Sequence, residues 1–216
     1  MSHDFTRLPS VIRALAAAVA AGALLAPMCV LRAAPPVTGA NAPRQALFPS
    51  ETAKAERAMN QLQQALLARL KAAMESGGPA AAVDVCRTEA RTIADAVAKT
   101  QGIELGRTSH RLRNAANAPR PWARAVVEGG SGVKASAEML RTVDLGDRVG
   151  VLRPIGTAET CTRCHGPADE VRRNIGAALA AAYPDDRATG FAPGDLRGWM
   201  WAEVPKVGKQ GSGSWR

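Results

Sequence analysis

Five consecutive residues, Cys161-Thr162-Arg163-Cys164-His165, constrain this chain more than any others. Thiols three positions apart share one face of a helical turn, and an imidazole stands directly beside the second. Whatever else the sequence builds must present all three groups to one partner. The C-x-x-C-H spacing is that of covalent haem attachment, in which both thiols add to vinyl groups and the imidazole meets the iron. Three plainer readings compete. A thioredoxin-type redox pair belongs at the start of a helix in a βαβ unit, and the sequence shows no such unit. A zinc site wants a second closely spaced ligand pair, which is missing. A disulfide between Cys161 and Cys164 leaves His165 without a role. Haem attachment accounts for all three residues, so one covalently attached haem c is the expected cofactor.

The N-terminal residues read as an address. Arg7 to Arg13 give a short positive region and Ala14 to Leu25 a small or apolar core, the build of a secretory signal peptide. That core is short and alanine-rich for a membrane-spanning helix. Residues 1–34 are expected to be removed, with a boundary as late as residue 40, leaving a periplasmic protein. Cys29 follows Pro27-Met28, a poor match to the small residues that precede a lipidated cysteine. Membrane association is expected to be transient, and only if this segment is retained. Export also supplies the compartment in which c-type haem is attached.

Residues 35–49 hold four prolines and read as a linker. After Ser50-Glu51, Met59, Leu62, Leu66, Leu70 and Ala73 recur at helical spacing until Gly77-Gly78. Pro79 opens a second apolar stripe of Val83, Cys86, Ala90, Ile93 and Val97, which Gly102 closes. The two runs predict a helical hairpin or a bent pair. Loose alternation predicts a strand over Ile103 to Arg113, then a turn through Pro119 and a short helix from Trp122 to Glu128. Segments 138–143 and 148–155 predict an antiparallel hairpin, 168–182 a helix, and 196–204 a last strand. Helices first and an antiparallel sheet afterwards make an α+β domain over 50–205, with residues 206–216 as a flexible tail.

Cysteine counting bears on the far side of the iron. Of four cysteines, Cys29 falls in the signal segment, and two thioethers leave Cys86 alone. An unpaired thiol in an oxidising compartment reads equally as a small buried hydrophobe or as an iron ligand. His110, Met139 and Met200 are the other nitrogen or sulfur candidates, because Met59 and Met74 sit at helix-core positions.

Composition agrees with a large prosthetic group. The chain has 44 alanines but only 4% aromatic residues, so its own side chains wall a big pocket poorly. A porphyrin would supply that apolar surface. The net charge of +9 falls to +7 once residues 1–34 are removed, since three arginines and one aspartate leave with them. Between Glu104 and Glu128 there is no acid, but Arg107, Arg111, Arg113, Arg120 and Arg124 are present. Most of these read as a solvated face. Alternation puts Arg107, Arg111 and Arg113 on one strand face with Ser109, where one or two would pair with haem propionates or another anion. Nucleic acid is not indicated, because the chain is exported and aromatics are not interleaved with the basic residues. No carboxylate pair, triad or phosphate loop suggests an enzyme.

Several blocks together resemble a known family. They are Ala82-Val-Asp-Val-Cys86; Gly106-Arg-Thr-Ser-His-Arg-Leu-Arg-Asn-Ala-Ala-Asn-Ala-Pro119 with Trp122; and Pro154-Ile155 through Cys161-Thr-Arg-Cys-His-Gly166. Tyr183–Gly190 and Gly194–Gly198 add to them. The set, spanning roughly Ala53 to Pro205, resembles the exported monohaem c-type domains with a PAS-like fold, long catalogued as a domain of unknown function and also found as the sensing part of bacterial signalling proteins. The resemblance implies axial ligation by His165 and Cys86. It implies either electron transfer with a redox partner protein or sensing of redox state or of NO or CO through a signalling protein. The sequence departs from the family pattern at Ala115, where Pro is common, and at His110, where an apolar residue is commoner.

Overall fold

The computed structural model describes residues 47–206. The expected signal segment, the linker up to Ala46 and the tail from Val207 lie outside the described residues. Helix α1 (Pro49–Thr88) is not straight. Arg69 and Glu89 form a bidentate ion pair with both N–O distances at 2.6 Å, although twenty residues of straight helix would hold them about 30 Å apart. The chain therefore reverses, and it does so at Gly78, whose φ of 68° and ψ of −163° belong to a region essentially closed to residues with a Cβ. Pro79, with φ preset for a first turn, starts the returning arm. Further along, Gln101 donates to Gln61 at 3.0 Å, so the return continues through α2 (Ala90–Gln101) as an antiparallel helical hairpin. The expected single stripe from Pro79 to Gly102 is broken at Glu89. Just before it, the Thr88 hydroxyl donates to the Asp84 carbonyl at 2.9 Å, a back-bond of the kind that bends helices.

The strands are β1 (Glu104–Thr108), β2 (Arg141–Asp144), β3 (Arg148–Gly156) and β4 (Leu196–Pro205). They form an antiparallel sheet in the order β1-β4-β3-β2. Between them lie α3 (Arg124–Glu128), α4 (Thr162–His165) and α5 (Ala168–Ala182). The molecule is thus α+β. One sheet face carries Leu105, Val149, Val151, Met200, Ala202 and Val204 against Ala55, Ala58, Met59, Leu62 and Ala94 of the hairpin. The other carries Leu152, Trp199 and Trp201 beneath Trp122, Ala123 and Val127. Small hairpin residues set the close approach of the first layer, and large side chains fill the second. Among the described residues no helix is long and apolar enough to cross a membrane.

Three further expectations change. The strand predicted from Ile103 to Arg113 ends at Thr108. The Ser109 hydroxyl donates to the Arg197 carbonyl at 2.7 Å and accepts from the Arg111 amide at 3.1 Å, replacing ladder bonds with a side-chain turn. In the β2–β3 hairpin the first strand begins only at Arg141, because Ser136 caps a single 3-10 turn over Ala137–Met139. Lys206, expected in the tail, is held by ties to Asp144 and Asp147.

Glu203 pins the second layer to the sheet. It is buried, accepting from Arg120 Nε at 2.7 Å and Trp122 Nε1 at 2.8 Å. Burial opposes its ionisation, but the bonds from Arg120 and Trp122 and the charges of Arg120 and Arg148 outweigh it and hold its pKa below the usual range. A lowered carboxylate pKa contributes stability that is complete above the unfolded value, about 4.3, and is lost as pH falls through the native value. Urea titrations from pH 6 to pH 3 should show this loss, and Glu203→Gln should flatten it. At the reversal, Gly78→Ala should lower the unfolding free energy by about 1–3 kcal/mol, read from a urea titration at pH 7.

Candidate functional site

Cys161 caps α4, and Cys164 and His165 occupy its single turn. All three described cysteines, Cys86, Cys161 and Cys164, are free thiols. His165 Nδ1 lies 2.7 Å from the Ala188 carbonyl oxygen. A carbonyl only accepts, so Nδ1 carries the proton and Nε2 keeps its lone pair. No group among the described residues hydrogen-bonds Nε2. Burial first, then the charges of Arg197 and Arg113, push the His165 pKa down to about 2. The imidazole is therefore neutral and oriented, the state in which histidine binds a metal.

The turn is clamped by two other segments. The Phe191 amide donates to the His165 carbonyl at 2.9 Å, and the Gly190 amide to the Gly166 carbonyl at 2.6 Å. Arg113 Nη2 donates to the Cys164 carbonyl at 2.6 Å and pairs with Asp186 at 3.1 Å. Asp186 in turn accepts from the Ala188 amide at 2.8 Å, fixing the residue whose carbonyl holds His165. Arg111 Nη1 donates to the Thr189 carbonyl at 2.6 Å, with its guanidinium 4.2 Å above the Phe191 ring. Gly190 has φ 78°, and a Cβ there would stand 3.2 Å from Arg111 Nη1. Arg113 and residues 186–191 thus hold the turn directly, and Arg111 braces that second segment.

Cys86 reaches the same region from the hairpin. Val83, one turn earlier, packs on α5 with Val171, Ile175, Leu179 and Tyr183, and Cys164 touches that cluster. Charge on Cys86 acts on Cys164, Tyr183 and Arg107, so its thiol is an electrostatic neighbour of the motif. Burial raises the pKa of both Cys164 and Tyr183.

The three arginines expected on one face separate. Arg113 braces the motif and Arg111 the 189–191 segment, both through protein acceptors. Arg107 alone remains on β1. It pairs in register with Met200 on the hairpin side of the sheet, and among the described residues it has no hydrogen bond or ion pair. Burial lowers its pKa, and its charge reaches Cys86 and His165. Arg197 was not anticipated. Its charge bears on His165, and burial, with Arg113 and Arg107 beside it, brings its own pKa to about 10. Its Nη1 donates to Ser109 Oγ at 3.3 Å, and among the described residues its Nε has no partner.

The other candidate ligands sit elsewhere. His110 stands edge-on to Phe191, ring centroids 5.8 Å apart, with both nitrogens buried and unpartnered; burial, with Arg111 and Arg197 nearby, lowers its pKa. Met139 packs with the second layer. Met200 is buried in the hairpin core, its sulfur accepting from Arg153 at 3.0 Å. A cleft of about 330 Å3 opens between α2, β1 and the 114–118 turn, lined by Cys86 and Arg107 but not by the C-x-x-C-H residues. Among the described residues no three His, Cys, Asp or Glu side chains gather as a metal-ion set.

Residues 41–205 match the family model described as Tll0287-like. The chain belongs to the Tll0287-like family. Among solved structures, this Tll0287-like chain is similar to the cyanobacterial heme-protein Tll0287, with 25% sequence identity, covering 74% of this chain and 97% of that one at a TM-score of 0.52. No curated protein matches. The stretch assigned to the Tll0287-like domain contains Cys86, the C-x-x-C-H turn and both clamping segments.

The clamp carries a stability prediction. Arg113 and Asp186 are each 10% exposed, and removing one partner of such a pair strands the other, at a cost of about 3 kcal/mol. Arg113→Gln should show that loss in urea denaturation. Arg91→Gln, which breaks an exposed pair with Asp95, should stay within about 0.5 kcal/mol.

Proposed function

We propose that the protein is an exported monohaem c-type cytochrome of PAS-like fold. One haem c is bound through thioethers at Cys161 and Cys164, with His165 and Cys86 as axial ligands. The observation that carries the reading is the half-buried His165 ring, its Nδ1 proton held by Ala188 and its Nε2 free, on the turn that also holds both thiols. The resemblance to a heme-protein in which the same fold is seen supports it.

Each residue then has a task. Ala188 fixes the tautomer and plane of His165. Arg113 and Asp186 fix the turn against the pull of its attachments. The neighbouring arginines offset the negative charge of a thiolate. The bound group supplies one-electron redox chemistry. Thiolate donation from Cys86 favours the oxidised iron, so the reduction potential falls below that of a Met/His site. With both axial positions filled, the function is electron transfer with a redox partner protein in the periplasm, not an enzymatic reaction.

A second reading has its own observation. The cleft gives solvent an approach to Cys86 that avoids the C-x-x-C-H turn, as a sensor of redox state or of NO or CO needs if an incoming ligand is to displace Cys86. Such a sensor would act through a signalling protein.

Coexpression with haem-maturation machinery should yield haem that stays with the polypeptide on a denaturing gel, together with a Soret band. Absence of both would sink the proposal. Cys86→Ala should abolish the six-coordinate low-spin spectrum of the oxidised protein, whereas His110→Ala should leave it intact. Exposing the reduced protein to CO separates the readings: an inert haem favours transfer, and ready displacement of Cys86 favours sensing.

A further inference from the structure

The cleft beside Cys86 carries one charge that the protein does not neutralise. On its walls, Arg91 pairs with Asp95 at 2.9 Å, and Arg120 pairs with Glu104 at 3.1 Å and Glu203 at 2.7 Å. Arg87, at the rim, pairs with Asp84 at 2.9 Å. Arg107 lines the same space and among the described residues has no hydrogen bond or ion pair. Arg107 is half-buried, and a guanidinium that loses part of its hydration without gaining an acceptor carries a cost. The fold keeps that cost where a cleft of about 330 Å3 offers room for a partner.

We propose that Arg107 is a receptor for a carboxylate held in this cleft. One unneutralised positive charge suits a monoanion, and Glu104 and Asp95 on the walls disfavour a phosphate dianion. The planar fork of a guanidinium matches a carboxylate with two parallel N–H···O bonds. The carboxylate has two possible sources. One is a haem propionate, which rests on the preceding reading and agrees with the reach of the Arg107 charge to both Cys86 and His165. The other is a small carboxylate from solution, entering between α2 and the 114–118 turn.

Both sources are tested on the full protein as matured, with benzoate as the solution probe. If the source is solution, calorimetry shows benzoate binding to the native protein. That binding weakens at least tenfold in Arg107→Gln and is blocked by Ala116→Trp on the exposed rim of the cleft. If the source is a propionate, benzoate does not bind. Arg107→Gln then shifts the propionate bending band in the resonance Raman spectrum, and it lowers the reduction potential by at least a tenfold change in the redox equilibrium, about 59 mV for one electron. Arg107→Met, which keeps the aliphatic stem, replaces the glutamine variant if that does not fold. The proposal is overturned if the native protein binds no benzoate and the Raman band of the folded neutral variant is unmoved, whatever its potential. A preparation without covalent haem removes the preceding reading and leaves calorimetry alone to decide for or against the receptor.

Discussion

A single hydrogen bond, from His165 Nδ1 to the Ala188 carbonyl at 2.7 Å, sets the terms for the surrounding structure. It fixes which nitrogen is free and in which plane the ring lies, but a backbone carbonyl can do this only if its own segment cannot move. Segment 186–191 has no regular secondary structure to hold it. Asp186 therefore caps the Ala188 amide, Arg113 bridges Asp186 to the Cys164 carbonyl, and Arg111 ties down Thr189. Half-buried guanidinium groups serve here as cross-links between irregular segments: Arg113 donates to both Asp186 and the Cys164 carbonyl, and Arg111 donates to Thr189 while lying over the Phe191 ring. Burial first, then the charges of Arg197 and Arg113, make protonation of His165 unfavourable, so Arg113 contributes both to the placing of the ring and to its charge state.

The helical hairpin and the sheet supply the opposite wall. Because α1 turns back at Gly78, the arm carrying Cys86 lies over the sheet face that carries Arg107, while Val83 on the same arm meets α5 directly after the C-x-x-C-H turn. Residues from three distant parts of the chain thus share one electrostatic environment.

The regular elements were legible because their signals are local. Apolar spacing located the hairpin arms, Gly77-Gly78-Pro79 marked the reversal, and the helix at 168–182 has the predicted bounds. The strand expected over Ile103 to Arg113 overran β1 because loose alternation carries no stop signal of its own, whereas Ser109 diverts the backbone to side-chain bonds. The motif residues stood out by type and spacing. What holds them did not: a carbonyl contributes to the site without regard to its side chain, so nothing in the letter Ala at 188 points to His165. The arginines take separate places for a related reason. Residue type shows that a charge must be accommodated, and only the packed chain shows that Asp186 and Thr189 accommodate two of them while Arg107 is left open.

The reversal at Gly78 has a further consequence. Cys86 lies eight positions, a little over two turns of helix, beyond it. Each residue advances a helix by about 100°, so the direction in which Cys86 points is set by the count of residues after the turn. One residue more or less in that short arm would swing the thiol a quarter-turn or more away and carry Val83 off α5 with it. The spacing Gly78 to Cys86 therefore works as an angular gauge, in which length encodes azimuth, and the arm tolerates substitution far better than insertion or deletion.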